Sequence, residues 1–383
     1  MGRIHYSLKS GSSKPLSDIP MPKELNIRIR NLVLRANKGQ QVECGEIIAE
    51  PPSPLGGAHH AAASGKIKVV NYYHLTIQCD GENRSVAPED VASMGTGKKL
   101  LRTLQRLGID VTQLDRAGLL IINGLNPEPG ISVAEQLLES ERELLEAGLR
   151  LAQRIIVPTR TVLASPSSSG FLSGTETMKI EPKYPASLNP LVVKAVTGKE
   201  YPEDTRILTL MNLYELGFVA QTGLPLTSTI MTIKGRNYRV PVGTPLGYLL
   251  DLLEIPVSDG DKVILGGPFR GEAVYGLDEG VKKGDYGLLV IPHEEFPPVE
   301  DATCINCGEC VLNCPGRVLP NLISRYAEFE MFEMAEKCGL RSCLECGLCS
   351  FNCTARRPLL QYIRLAKNQL LSRGNAAMPL QAG

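Results

Sequence analysis

Eleven cysteines occur in this 383-residue chain, and eight of them fall in two short runs with the same internal spacing. Three thiolates separated by two residues each can hold one [4Fe-4S] cluster, and a fourth cysteine three residues further on reaches the neighbouring cluster. The two runs therefore predict a pair of [4Fe-4S] clusters with exchanged fourth ligands. The predicted ligands are Cys304, Cys307, Cys310 and Cys353 for cluster 1, and Cys343, Cys346, Cys349 and Cys314 for cluster 2.

Zinc is the alternative for the same cysteines. Structural zinc is bound by two Cys-x-x-Cys pairs or by cysteines with histidines, and neither pattern uses a third and a fourth cysteine at these offsets. No histidine follows His293 in the sequence, which excludes a mixed Cys/His site in this region. Pro315 follows the first run, while Thr354 takes the matching place after the second. This difference alters the turn but not the ligands, and iron–sulfur clusters are the better interpretation.

Composition and charge limit the partners and the cellular compartment that we expect for this chain. Lys+Arg and Asp+Glu both number 41, so the net charge gives no argument for nucleic-acid binding. Cysteines grouped at cofactor spacing indicate a reducing compartment. The sequence shows neither the apolar run of a signal peptide nor one long enough to cross a bilayer. We expect a cytoplasmic chain, held peripherally on the inner face of the cell membrane through partner subunits.

Residues 1–85, the first of four units predicted to position the cysteines, have the short strands and turns of a small β unit. Residues 26–30 alternate as a strand does, and residues 64–70 begin with a turn and end in β-branched side chains. The glycine spacing resembles the barrel-sandwich hybrid of lipoyl and biotinyl domains, which carry a modified lysine on an exposed hairpin. The corresponding tip, residues 56–60, has no lysine. We expect its His59 and His60 to face water rather than bind a metal.

Residues 86–225 alternate between helical and strand patterns, which predicts a parallel sheet covered by helices. The predicted helices are 100–107, 133–152 and 191–196, and the predicted strands are 118–124 and 155–157. The glycine and lysine cluster at 94–99 does not fit a P-loop, because Ala92 replaces the first glycine and Lys99 the magnesium-binding Ser or Thr. We interpret it as the first turn of a helix.

The last two units are a β-grasp unit at 226–295 and the cysteine unit at 296–383. The third unit shows a hairpin at 229–240, a helix at 245–253 and strands at 262–265 and 287–291. The fourth follows a proline-rich linker at 296–299. It has helical spacing at 319–335 and 359–371, and Cys338 lies outside both runs and is not expected to be a ligand.

The order of these units resembles the C subunit of the Rnf electron-transport complex along nearly the whole chain. Besides the cysteine runs, the residues that carry the resemblance are 20–25, 121–124, Glu128-Pro129, 183–185, Thr197-Gly198, 242–245, 266–268, Gln361-Tyr362 and Ala366-Lys367. The resemblance implies a multidomain α/β and α+β fold. Its parts would be a barrel-sandwich hybrid, a Rossmann-like unit akin to the flavoprotein subunit of complex I, an SLBB-like β-grasp unit and a bacterial ferredoxin-like unit with two [4Fe-4S] clusters. In that family the α/β unit binds FMN and NADH.

Three departures from the family pattern argue against a nucleotide. The glycine-rich flavin loop expected between Leu107 and Leu119 is missing, and residues 123–129 and 186–189 also differ from the family. A flavin phosphate needs backbone N–H groups exposed by glycines. We interpret the chain as a degenerate member that keeps the scaffold and the clusters, with no site residue assigned to FMN or NADH.

The favoured hypothesis is an electron-transferring subunit that relays single electrons between a redox donor and a partner subunit. Its partners would be other subunits of a membrane-bound Rnf-like complex, with a soluble ferredoxin, flavoprotein or cytochrome as further candidates, and no nucleic acid. Independent NADH dehydrogenase activity is not expected. Arg317, Arg341, Arg356 and Arg357 would raise the cluster potentials or dock an acidic partner, unless they form an ordinary solvated surface. The alternatives are a flavin-dependent NADH or cobalamin reductase and a structural scaffold with a ligand-binding β-grasp unit.

Overall fold

The computed structural model describes residues 6–9, 15–167, 171–295 and 302–372, and these residues form a mixed α/β chain with four sheets. The predicted linker at 296–299 and residues 1–5 lie outside the described residues.

Two small antiparallel sheets make up most of the N-terminal part of the chain, as the strand patterns predict. Their strand orders are β2-β8-β7-β4 and β3-β5-β6. Apolar side chains such as Leu25, Ile48 and Ile77 are buried in one cluster between them. The strands up to this point are β1 (Ser17–Asp18), β2 (Glu24–Arg28), β3 (Val33–Leu34), β4 (Gln41–Val42), β5 (Ile47–Glu50), β6 (His59–His60), β7 (Gly65–Val70) and β8 (His74–Cys79).

A parallel sheet of order β11-β10-β9-β12 follows, with every neighbouring pair parallel. This confirms the α/β prediction. The buried strand β9 forms as expected, because Leu120, Ile121 and Ile122 are covered on both faces. The elements are α1 (Lys98–Arg106), β9 (Leu119–Asn123), α2 (Val133–Ser140), α3 (Arg142–Ile156), β10 (Arg160–Ser165), β11 (Glu176–Lys179), α4 (Asn189–Thr197), β12 (Thr205–Thr209) and α5 (Leu210–Thr222).

The prediction of a strand at 155–157 is wrong, because these residues end helix α3. Ile156 is buried on the same helix face as Leu149 and Ala152, so the helical period continues through the β-branched residues. Val157 then adopts a left-handed conformation with φ of 54°, and Pro158 stops the helix. The strand begins instead at Arg160.

The single long helix predicted at 133–152 is also wrong, since it divides at Glu141 into α2 and α3. The two helices have different partners. Gln136 on α2 accepts a hydrogen bond from Asn237 in the third unit, with Nδ2 to Oε1 at 3.2 Å. Helix α3 packs on α5, where Gly148 is so close that a Cβ there would lie 1.9 Å from the Leu213 carbonyl oxygen. The break lets each helix meet its own neighbour.

The third unit is a mixed sheet of order β1-β14-β13-β17-β15-β16, crossed by one helix. Its hairpin, helix and strands follow each other as predicted. Strand β1 belongs in sequence to the predicted first unit, residues 1–85, but it adds in parallel to β14 at the edge of this sheet. The elements are β13 (Ser228–Ile233), β14 (Arg236–Pro241), α6 (Leu246–Leu252), β15 (Lys262–Leu265), β16 (Glu272–Ala273) and β17 (Gly287–Ile291).

The cysteine unit is built from short helices around a small apolar core. The predicted helical segment 319–335 is two helices, because residues 329–331 leave the helix and Glu330 has a positive φ of 56°. The predicted final helix is present. The elements are α7 (Glu309–Leu312), α8 (Pro320–Glu328), α9 (Phe332–Lys337), a 3₁₀ turn (Leu340–Ser342), α10 (Leu348–Phe351) and α11 (Leu359–Ser372).

Candidate cluster-binding site

Two cavities in the described part of the cysteine unit are each lined by four thiols. Cavity 1 measures about 350 Å³ and cavity 2 about 300 Å³, in both cases including space open to solvent. Each cavity takes three cysteines from one run and the last cysteine from the other. The thiols are Cys304, Cys307, Cys310 and Cys353 in cavity 1, and Cys314, Cys343, Cys346 and Cys349 in cavity 2. They are grouped as the spacing predicts, and their role as ligands stays a prediction.

The two runs reach this arrangement through the same backbone conformation. In each run a left-handed glycine follows the second cysteine and opens a one-turn helix that carries the third: Gly308 with φ of 83° before α7, and Gly347 with φ of 76° before α10. Left-handed backbone is available to glycine without the steric penalty of a Cβ. The repeated sequence therefore produces a repeated loop that wraps three thiols around a cavity.

The thiols line cavities rather than converge on a point. Within the described ranges, no three His, Cys, Asp or Glu side chains are placed so that they could hold one metal ion. The same ranges contain all eleven cysteines, and none of them forms a disulfide. Four thiols around a space suit a polynuclear cluster better than a single tetrahedral ion, whose ligands crowd one centre at about 2.3 Å.

The two cavities differ in exposure. Cys307 is exposed, whereas Cys343, Cys346 and Cys349 are buried. The pKa of Cys307 is lowered, first by the backbone N–H of Glu309 and then by the Thr354 hydroxyl. Burial raises the pKa of Cys346 to about 12. A metal that binds in cavity 2 must therefore displace protons from thiols that do not ionise by themselves.

Aromatic residues from three parts of the chain pack against the loop that borders cavity 2. The Tyr184 hydroxyl donates to the carbonyl oxygen of Cys346 at 2.6 Å, and its ring stacks on Phe269 with centroids 4.7 Å apart. Tyr6 stacks on the same ring at 5.8 Å. Gly347 lies so near this group that a Cβ would be 2.1 Å from the Phe269 carbonyl oxygen. The second cysteine run is therefore packed directly on the scaffold.

Glu128 fixes the Phe269 segment to the α/β unit. This carboxylate is fully buried at 0% exposure. Its Oε2 accepts the backbone N–H groups of Phe269 at 2.7 Å and Arg270 at 3.0 Å, and its Oε1 accepts the Tyr286 hydroxyl at 2.5 Å. A Cβ at Gly267 would lie 2.4 Å from the Glu128 carboxyl carbon. Residue 267 must therefore be glycine for the carboxylate to enter.

Charged side chains lie next to both cavities. In cavity 2, Lys367 is buried and donates to the carbonyl oxygen of Cys343 at 2.8 Å and to Glu345 Oε1 at 2.7 Å. Glu345 also accepts from Arg364 Nε at 3.3 Å. In cavity 1, the guanidinium of Arg357 donates to Glu328 at 2.5 Å and to the carbonyl oxygen of Ala302 at 2.6 Å.

The arginines predicted to raise the cluster potentials or to dock an acidic partner have contacts within the chain, and their role stays a prediction. Arg317 pairs with Glu200 at 2.6 Å, and Arg341 pairs with Glu336. Arg357 is only 4% exposed, and its guanidinium lies 5.6 Å from the centre of the Tyr362 ring. Arg357 is thus held inside the cysteine unit, whereas the Arg317 side chain stays 72% exposed.

The expectation that His59 and His60 face water is wrong. They form strand β6, whose hairpin tip docks on the α/β unit: a Cβ at Gly57 would lie 2.2 Å from the Gly108 carbonyl oxygen. His60 is 2% exposed, with Nε2 at 2.7 Å from the Arg106 carbonyl oxygen. Burial lowers the pKa of His59 to about 3 and that of His60 to about 4. These histidines join two units.

The carboxyl end of β9, where parallel sheets commonly bind nucleotides, is covered by the chain itself. Asn126 donates to the carbonyl oxygen of Leu8 at 2.8 Å, and Leu8 is buried. Asn123 donates to the carbonyl oxygen of Ser187 at 2.7 Å and to Asn189 at 2.8 Å. Residues 6–9 and the loop before α4 thus fill this edge.

Sequence reasoning found the cysteines but gave no role to Glu128, Tyr184, Phe269 or Lys367. Three of them lie in short motifs that carry the family resemblance, and these motifs were the only indication in the sequence that the residues have a role. Their contacts join residues that are 141 and 162 positions apart for Glu128–Phe269 and Tyr184–Cys346, so only the folded chain reveals them. Cys338, although described, lines neither cavity.

Comparison with known proteins shows that the chain is similar to RnfC proteins: the curated proteins that it matches are C subunits of ion-translocating oxidoreductase complexes. The C subunit of the sodium-translocating ferredoxin:NAD(+) oxidoreductase complex of Acetobacterium woodii is 28% identical over 88% of this chain and 87% of its own length. The C subunit of the ion-translocating oxidoreductase complex of Rhodobacter capsulatus is 28% identical over 86% and 73%. The C subunit of the proton-translocating ferredoxin:NAD(+) oxidoreductase complex of Clostridium ljungdahlii is 24% identical over 96% and 93%.

Other comparisons add less. No family model matches the chain. Among solved structures, an NAD+-reducing [NiFe]-hydrogenase in its H2-reduced state aligns with a TM-score of 0.43 and 14% identity, over 75% of this chain and 66% of that one. No helix within the described ranges combines the length and apolar character needed to span a membrane.

Proposed function

We propose that this protein is the iron–sulfur electron-transfer subunit of an Rnf-like oxidoreductase complex, and that it relays single electrons through two [4Fe-4S] clusters. Cluster 1 would be held by Cys304, Cys307, Cys310 and Cys353, and cluster 2 by Cys343, Cys346, Cys349 and Cys314. The cysteine unit would be bacterial ferredoxin-like, the third unit an SLBB-like β-grasp, and the first a barrel-sandwich hybrid. When bound, the clusters would supply reversible one-electron transfer.

The observation that carries this proposal is the pair of four-thiol cavities with exchanged cysteines. A zinc site would not need one cysteine from the far run, whereas paired clusters do. The chain's own residues supply the rest of the site. The left-handed glycines shape both loops, and Tyr184, stacked on Phe269, fixes the backbone of Cys346 through its hydroxyl.

Partner subunits follow from the relatives, whose names place them in ion-translocating complexes. We propose that this chain also works beside membrane subunits, as a peripheral component on the cytoplasmic side. Purification from native membranes should then recover the chain together with membrane subunits, and recovery of the chain alone would contradict this placement.

We further propose that the chain works without FMN or NADH. Support comes from the missing glycine-rich loop and from the covered carboxyl end of β9, where Leu8 and the loop at 184–189 take the space. A flavin-dependent NADH reductase remains the competing function, since two of the relatives are named as parts of ferredoxin:NAD(+) oxidoreductases. The two functions differ in whether a flavin copurifies.

Iron, acid-labile sulfide and flavin analysis of the full chain, purified without oxygen, tests the proposal. Two clusters require about eight iron and eight sulfide per chain. Cys307→Ser and Cys346→Ser should each lose about half of both, whereas Cys338→Ser, outside the cavities, should lose none. Stoichiometric zinc in place of iron would reject the clusters. Stoichiometric acid-released flavin would favour the reductase, and electron transfer by the parent complex with both clusters removed would favour a scaffold.

A further inference from the structure

A buried cation, Lys367, lies beside cavity 2 and contacts the second cysteine run. The Lys367 ammonium group donates to the carbonyl oxygen of Cys343 at 2.8 Å, and the side chain comes from the last helix, α11. A lysine is almost never buried unless it is paired. Its partner is Glu345, which lines cavity 2.

The Glu345 carboxylate is not the counter-charge of Lys367 only, because it also pairs with Arg364. Its Oε1 accepts from Lys367 at 2.7 Å, and its Oε2 accepts from Arg364 Nε at 3.3 Å. Arg364 also lies 3.6 Å from the exposed carboxylate of Glu272. Two cations thus face two carboxylates, but Glu272 is exposed and screened by solvent, whereas the Lys367 ammonium is buried beside Cys343, so part of its charge is left to act on the thiols.

Cavity 1 is arranged differently. Its cation, Arg357, lies 2.5 Å from Glu328, and no second cation is bound to that carboxylate in the described residues. Three of the four thiols in cavity 1 are not buried, and Cys307 is exposed, so solvent screens charges there. A fixed cation acts more strongly in cavity 2, where Cys343, Cys346 and Cys349 are buried.

Reduction of a [4Fe-4S] cluster adds one electron and so one negative charge. Burial disfavours that charge, while a nearby fixed cation favours it. We propose that Lys367 is a positioning residue that sets the reduction potential of cluster 2, and that it keeps the buried cluster reducible by the partner that delivers electrons through this chain. The inference rests on the proposed function, since it concerns one of the two clusters named there.

The charges around cavity 2 predict opposite shifts of the cluster 2 midpoint potential for substitutions of Lys367 and of Glu345. Lys367→Met removes the cation and keeps the length of the side chain, so the midpoint potential of cluster 2 should fall and that of cluster 1 should stay. Lys367→Arg keeps the charge and should restore the potential. Glu345→Gln removes the counter-charge and should raise the potential of cluster 2. Lys337→Met removes an exposed charge of the same unit and should change neither.

The measurement is a redox titration of the full chain followed by electron paramagnetic resonance. Cys307→Ser and Cys346→Ser, made separately, assign the two reduced-cluster signals. The proposal is supported if the cluster 2 midpoint moves down in Lys367→Met and up in Glu345→Gln. It is overturned if the cluster 2 midpoint does not move in these variants, or if the midpoints of cluster 1 and cluster 2 move equally. It is also overturned if Lys367→Arg shifts the cluster 2 midpoint as far as Lys367→Met does, since the role of Lys367 would then be structural. If Lys367→Met does not fold, Glu345→Gln decides alone by the sign of its shift.

Failure of this inference differs from failure of the proposed function. Protein without cluster iron and sulfide would reject both. Protein with two intact clusters whose midpoints ignore residues 345 and 367 would reject only the role of Lys367.

Discussion

Removal of the Glu128 carboxylate should detach the Phe269 segment from the α/β unit and loosen cavity 2. Glu128 accepts three hydrogen bonds in a fully buried place, from the backbone N–H groups of Phe269 and Arg270 and from the Tyr286 hydroxyl. Phe269 in turn packs against Gly347 and Tyr184 at the second cysteine run. Loss of the Glu128 carboxylate should therefore lower both the stability of the fold and the iron content of cavity 2.

The magnitude follows from the donors left behind. A buried donor without an acceptor costs about 1–3 kcal/mol. Glu128→Ala leaves three such donors, and even with partial relaxation we expect a loss of about 4 kcal/mol in the free energy of unfolding. Glu128→Gln keeps one acceptor oxygen and the shape but loses the charge, for about 1–2 kcal/mol. Tyr286→Phe removes one donor together with one bond, for about 1 kcal/mol.

Guanidinium unfolding followed by far-ultraviolet circular dichroism gives the three free energies, and hydrogen exchange at the amides of Phe269 and Arg270 locates the loss. Iron analysis should show depletion in Glu128→Ala and full content in Tyr286→Phe. The reasoning is refuted if Glu128→Ala lies within about 1 kcal/mol of the wild type, or if Tyr286→Phe is equally damaging. A double-mutant cycle between residues 128 and 286 should give a coupling of about 1 kcal/mol.

Three further predictions concern other contacts. His60 is neutral in the fold with a pKa of about 4, against 6.5 as its ordinary value, so the unfolded chain takes up a proton first as the pH falls. The contribution of His60 to stability should therefore drop by about 2 kcal/mol from pH 7.5 to 5, and His60→Gln should reduce the pH slope by about that amount in urea unfolding measured at both pH values. His59, whose pKa is about 3, keeps its own share of the slope in this variant. Gly347→Ala should lose the cluster 2 iron, because its Cβ would lie 2.1 Å from a backbone oxygen. Gly308→Ala, with nothing within 4 Å of its Cβ, should keep its iron and lose only about 1 kcal/mol for its left-handed backbone. Gly148→Ala should lower the melting temperature, although alanine in a helix usually stabilises by about 1 kcal/mol, since its Cβ would lie 1.9 Å from the Leu213 carbonyl oxygen.

Each of these predictions has an outcome that contradicts it. A pH slope that His60→Gln leaves undiminished would assign the acid sensitivity to other groups. Equal iron loss in Gly347→Ala and Gly308→Ala would mean that the left-handed backbone, and not the contact with the scaffold, limits cluster binding. A higher melting temperature for Gly148→Ala would show that helices α3 and α5 can separate at little cost.

Local patterns were enough to predict most secondary-structure elements and the thiol sets. Alternating and helical periodicities gave β9, α1, α11 and the hairpin of the third unit, because each of these patterns depends on neighbours only a few residues away. At 155–157 the β-branched residues led to the wrong prediction of a strand. There the buried helix face that continues to Ile156 decided the outcome.

The family resemblance pointed to motifs without explaining them. Gly266-Gly267-Pro268 and Glu128-Pro129 are separate in sequence, and the structure joins them because the Glu128 carboxylate enters where Gly267 has no side chain. His59 and His60 were expected in water, since a histidine pair at a hairpin tip carries no sign of what covers it. Their burial depends on the α/β unit, which the local sequence does not contain.

By itself, the sequence determined the spacing of the thiols and therefore the sets of four that can share a cavity. Cysteine spacing is a local property, set by two or three residues of backbone and a glycine turn. Tertiary structure alone decided that the two cavities differ, because burial and charge arise where distant segments meet. Tyr184, Phe269 and Lys367 contact the second run of cysteines, three of which are buried, whereas the first run has only Cys310 buried and leaves Cys307 exposed.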